Sequence, residues 1–184
     1  MTRRLTLIIA AATACALAGC SPDGQETPTP EPMVLTPTPT PSPEWSAEEQ
    51  SAIDAVQEYL TVWTDIGQNL DTADWNAIDN VAGDPAANDA FDTWVLWGQN
   101  DWRLVGSPTF EVDRVAEGAT DSQGTRYHVD GCYITTDTHL ADPDGNPIAK
   151  QGADRATGNY LVLHELNPHD QYYVIEDNLE GDPC

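Results

Sequence analysis

Between Trp45 and Trp102 the apolar residues return every three or four positions, and beyond Trp102 they return every second one. That change of period fixes which elements the chain can build, and in what order. Ser46-Ala47-Glu48-Glu49 reads as a capping box, in which Ser46 caps the Glu49 amide and the Glu49 carboxylate returns the bond. Ile53, Val56, Leu60, Trp63 and Gly67 then mark one face of a helix over about 47–67, with Asp54 and Glu58 on the solvent side. A shorter helix is expected over about 73–81, capped by Thr72, with Trp75, Ile78 and Val81 along one side. Asp84-Pro85 starts a third as cap and first helical residue, carrying Phe91, Trp94, Val95 and Gly98 and ending near Trp97. Downstream, Thr109 to Asp113 alternates, as do Tyr127, Val129, Gly131, Tyr133 and Thr135. Residues 156–166 and 171–177 read as two further strands joined across Asn167-Pro168-His169-Asp170. Helices followed by an antiparallel meander make an α+β layer fold.

The folding part of the chain is bounded by what precedes it. Residues 21–44 hold eight prolines and repeated Thr-Pro, a composition that cannot bury a core and favours extended polyproline II. About 140 residues from Ser46 onward suit one domain with one core. The expected division is therefore 1–19, a segment removed on export; 20–45, a tether; and 46–184, the folded domain.

Arg3 and Arg4, an apolar run from Leu5 to Ala18 and small residues before Cys20 have the order of a secretory signal peptide. The run is too short to span a bilayer, which takes roughly 20 apolar residues. Leu17-Ala18-Gly19-Cys20 closely resembles the lipobox of bacterial lipoproteins. That resemblance implies a diacylglycerol on the Cys20 thiol, cleavage just before it, and anchoring to the cell membrane on the extracytoplasmic face. Two acyl chains anchor stably where one binds only marginally.

Cleavage there removes two of seven basic residues and none of 31 acidic ones, leaving five against 31 and a net charge of −26. Nucleic acid is excluded as a partner, because Arg103, Arg114, Arg126, Lys150 and Arg155 are too few and scattered to engage phosphates. Flat adhesion to an anionic membrane is excluded by the same charge. Cys15 goes with the leader and Cys20 carries lipid, so Cys132 and Cys184 remain to pair in an oxidising compartment. A disulfide between them pins the C-terminus onto the sheet; a catalytic or metal role lacks a completing ligand.

The element order resembles the cone-shaped, cystatin-like fold of nuclear transport factor two, the ketosteroid isomerases and the SnoaL-like proteins. Trp102-Arg103-Leu104-Val105-Gly106, Val129-Asp130-Gly131-Cys132 and Gly181-Asp182-Pro183-Cys184, with the lipobox and tether, are similar to secreted lipoproteins of high-GC Gram-positive bacteria that carry this domain. The resemblance covers residues 46–184. It implies N-terminal helices packed on a curved antiparallel four-stranded sheet, with a cavity between them. Some of Trp63, Trp75, Trp94 and Trp97 would line that cavity from the helices, and Tyr127 and Tyr133 from the sheet. Aromatics at helical spacing more often pack than bind, so a filled core is the competing expectation.

No catalytic set stands out. His164 and His169 are five apart with Pro168 between them, which does not match the four-residue spacing of a helical zinc site. Asp142, Asp144 and Asn146 have the spacing of calcium-loop ligands, but glycine falls at the fourth position and Ala153 at the twelfth, so a hairpin turn accounts for them. Isomerase chemistry would ask for an acid beside a tyrosine, and Asp130 falls on the strand face opposite Tyr127 and Tyr133. His128 and His139 have no visible partner and read as surface or structural residues. Nucleophile-elbow, phosphate-loop and dinucleotide motifs are absent. No cofactor and no metal are expected. The function these features favour is non-enzymatic binding of a partner protein or an apolar small molecule, the alternative being an enzyme of the isomerase type acting in the cone cavity.

Overall fold

The computed structural model describes residues 44–150, 152–166, 169–180 and 182–184. The leader, Cys20, the tether up to residue 43, and Asn167-Pro168 lie outside them. Helix α1 spans Ala47–Gln68 and opens with the expected reciprocal cap: the Glu49 amide donates to Ser46 Oγ at 3.1 Å, and the Ser46 amide to Glu49 Oε2 at 2.7 Å. Its buried face is broader than the stripe in the sequence, because Ala52, Tyr59 and Ile66 join Ile53, Val56 and Leu60.

The next element is a correction. Residues Trp75–Asn80 form a 3₁₀ turn capped by Asp74, whose Oδ1 accepts from the Asn76 amide at 3.1 Å. Thr72, the expected cap, closes the preceding turn instead, its amide donating to Asn69 O at 2.9 Å, so the helical turn starts two residues later at Asp74. Helix α2 spans Ala86–Gln99, and its first turn has no side-chain cap. Asp84 instead accepts from the Asn88 side chain at 2.7 Å.

Strands β1 (Arg103–Val105), β2 (Thr109–Thr120), β3 (Thr125–Ile134), β4 (His139–Ala141), β5 (Arg155–Glu165) and β6 (Gln171–Leu179) follow. The order β2-β3-β5-β6 is antiparallel throughout, and β1 pairs with β4 in a separate two-stranded sheet. Irregular register at Val112/Arg114 and at Leu161/Val162 adds a residue to one strand of each pair, which bends and twists the sheet locally.

Alternation along β3 places Tyr127 and Val129 against the helices. Asp130 faces the other way, bound by Arg114 Nε at 2.8 Å and by Asn159. The core lies between α1, α2 and the inner sheet face, where Val56, Tyr59, Ile78, Trp94, Val129, Tyr160, Val162 and Val174 are sealed from water. Each such side chain contributes roughly 1.5–3 kcal/mol of burial free energy. Cys132 and Cys184 stand at disulfide distance, with Cα atoms 5.8 Å apart. The tail is held there also by Thr157 N donating to Asp182 O at 2.9 Å.

Candidate binding groove

α2 ends at Gln99, and the chain reverses through Asp101 at a φ of 55°, a left-handed conformation that Asp tolerates better than most residues. The reversal lets the Trp102 amide donate to Trp97 O at 2.9 Å, which lays Trp102 beside Trp97. Gly67 supplies the seat for Trp97: a Cβ there would stand 2.9 Å from the Trp97 ring. Trp63, one turn earlier on α1, meets Trp97 edge to face with ring centres 5.3 Å apart.

Strand β1 then carries Leu104 inward against Leu140 of β4. Gly106, at φ 81°, makes this corner possible, since a Cβ would come within 2.0 Å of Asp137 O. The β4 strand is continued by a turn in which Asp142 Oδ1 accepts from the amides of Asp144 at 3.0 Å and Asn146 at 2.8 Å. Ile148 N then donates to Leu140 O at 2.7 Å. Hydrogen bonding from Asn146 holds the Asp142 carboxyl below its ordinary range. All three residues with calcium-loop spacing are thus used in a turn, and among the described residues no group of three His, Cys, Asp or Glu could hold a metal.

Together these elements enclose an open groove of about 480 Å³. One wall is Trp63, Leu96, Trp97 and Trp102; the other is Tyr133, Leu140 and Ile148, with Thr135, Thr138 and His139 along it. The size is within the range of ligand sites, and an apolar lining with few polar groups is their usual character. Leu96 is 52% exposed at its edge. Thr138 is 8% exposed, and among the described residues its hydroxyl has no hydrogen-bond partner, an uncommon state for a buried polar group. Lys150 is committed: its Nζ donates to Thr135 O at 2.8 Å and Asp154 Oδ1 at 2.6 Å.

The six aromatics named from the sequence divide between places. Trp63, Trp97 and Tyr133 meet in the groove. Trp94 is wholly interior, packed edge to face with Trp75 at 5.9 Å and Phe91 at 5.8 Å. Tyr127 lies against Tyr172 at 6.0 Å. Leu96, Trp102, Leu104, Thr138, Leu140 and Ile148 were not singled out beforehand. Only the alternation of Trp102 and Leu104, and an extra leucine beside Trp97, hinted at them.

A second cluster was missed as well. Tyr59 donates to Asp177 Oδ2 at 2.6 Å. Burial pushes the Asp177 carboxyl up, with the Tyr59 bond opposing, and burial with the Asp177 charge raises Tyr59 far above the usual phenol range. Burial likewise raises Tyr133 and Tyr160. Tyr59 is only 1% exposed, so this acid and phenol are not jointly presented to a ligand. The polar depression of about 670 Å³ that Asp177 borders contains Arg114, Asp130 and Asn159, already bound to one another. His164 bonds Asp170 at 2.8 Å and stacks on Tyr172 at 3.9 Å.

No family model matches the chain, and no curated protein matches it significantly in sequence. Fourteen solved chains match it in structure. One is the crystal structure of the intermembrane space region of chloroplast protein ARC6, at 14% identity and a TM-score of 0.54, covering 76% of this chain and all of that one. The likeness is one of fold: helices packed on an antiparallel four-stranded sheet.

Proposed function

We propose that the chain is an extracytoplasmic lipoprotein, anchored through a diacylglycerol on Cys20, whose domain binds a ligand without transforming it. The observation that carries the binding reading is the groove between Trp63, Trp97, Trp102 and Ile148, apolar, open and edged by half-exposed Leu96. Among the described residues no carboxylate lines it, and its lysine, Lys150, is already paired with Asp154, so an apolar surface can enter without stripping water from an unpaired charge. A non-enzymatic role is supported by the lining itself, which among the described residues includes no carboxylate to orient His139 as a base. Burying apolar surface against these rings supplies roughly 25 cal/mol per Å².

The test is a titration of the mature chain with the neutral fluorophore N-phenyl-1-naphthylamine. Saturable binding, read as a rise in naphthylamine fluorescence with quenching of tryptophan emission, and weakened by Leu96→Ser, supports the reading. Absence of saturable binding, or binding indifferent to Leu96→Ser and Ile148→Ser alike, ends it.

A further inference from the structure

Resting on that reading, we infer that the groove's occupant is a basic segment of a partner protein that inserts an apolar side chain between Leu96, Trp97 and Ile148. Three observations converge on it. The groove opens at the surface of α2, where lining Leu96 is 52% exposed and Val95, next in the chain, is 44% exposed. An exposed apolar side chain at the mouth of an apolar pocket suits a segment that sets an apolar anchor there.

The surroundings are acidic while the floor is not. Asp154 pairs with lining Lys150, Asp137 precedes Thr138 in the chain, and Asp142 and Asp144 lie in the turn between Leu140 and Ile148. The one basic lining residue, Lys150, is neutralised by Asp154 and by a backbone carbonyl. The whole chain carries a net charge of −24. An incoming Lys- or Arg-bearing segment is therefore attracted over a Debye length of roughly 8–10 Å, while an acidic one is turned away.

The third observation is Thr138, more than nine-tenths buried in the groove wall with its hydroxyl unpartnered. It is a polar group that the fold leaves unsatisfied beside the apolar floor. That hydroxyl is itself closed to solvent, so a seated segment's backbone meets it once the Thr138 side chain rotates toward the groove, and then supplies both a donor and an acceptor.

The experiment is a fluorescence-anisotropy titration of the full mature chain with three labelled synthetic peptides of equal length: Lys/Leu, Glu/Leu and Lys/Ser. The Lys/Leu peptide is expected to bind, to weaken about tenfold when salt rises from about 0.02 to 0.5 M, and to weaken at least about fivefold in Leu96→Ser. Because Leu96 is half in water, Leu96→Ser leaves the fold intact, which a thermal melt verifies. Equal binding of Glu/Leu overturns the inference, as does equal binding of Lys/Ser with no effect of Leu96→Ser, since the acidic surface alone would then be responsible. If the naphthylamine binds but Lys/Leu is not preferred, the groove stands and the basic partner falls. If neither binds, both fall.

Discussion

Leu96 stands half in water on α2, while Trp97 beside it is 8% exposed, and this separates binding from stability at adjacent positions. Leu96→Ser is expected to change stability by no more than about 0.5 kcal/mol while cutting naphthylamine binding several-fold. Trp97→Ala should cost roughly 3–5 kcal/mol, because it empties the seat above Gly67 and removes the edge-to-face contact with Trp63. Chemical denaturation alongside the titration distinguishes the two. Asp177 makes a different prediction. Its carboxyl is raised in the fold, so its contribution is fully present below the unfolded value near 3.9 and is lost as pH climbs through the raised folded value. Asp177→Asn keeps an acceptor for the Tyr59 hydroxyl and removes that loss. The variant should gain stability relative to the parent at neutral pH, and the gain should vanish in acid. Equal denaturation midpoints at about pH 4 and pH 7 would refute it. Asp177 was not legible in advance, because what makes it unusual is Tyr59, 118 positions away.

Elements that depend on neighbours in sequence were legible, and those that depend on distant partners were not. The α1 cap involves four consecutive residues, and both of its bonds form. Ser46→Ala should therefore cost about 1 kcal/mol in thermal unfolding. The segment after α1 misled because two capping residues, Thr72 and Asp74, lie two apart, and Thr72 is taken up by the turn it closes on Asn69 O. β1 and β4 escaped notice, since three residues are too few to display a period; each exists by pairing with the other across 36 positions. Within the longer strands, period two assigned faces correctly, including Asp130 opposite the buried tyrosine and valine of β3. The cysteine pair crosses elements: Cys132 lies in β3 and Cys184 ends the chain, 52 positions on. Cys184→Ser should lower stability by about 4 kcal/mol, on the loop-entropy account of such a closure. Calorimetry of parent and variant in the absence of reductant measures it.

At the scale of the molecule, acidity bears on the anchoring proposed above. A carboxylate-rich surface stands off from anionic lipid, so attachment would fall to the thioether at Cys20. Cys20→Ala is expected to abolish incorporation of labelled palmitate and release the protein to the medium; labelling that persists would refute the anchor. Among the described residues no helix is long and apolar enough to cross a membrane. By itself the sequence determined the class of fold, helices first and an antiparallel sheet after, because period and capping are local and repeat along the chain. It also brought together the two cysteines that the structure places at bonding distance, since few were left to choose from. Which aromatics fill the core and which edge a groove was decided only by tertiary structure. Trp94 and Trp97 occupy one helix three positions apart, yet one meets Trp75 and Phe91 in the interior and the other meets Trp63 beside the groove. Burial is set by what lies opposite a side chain, and nothing in a residue's own identity or spacing specifies that.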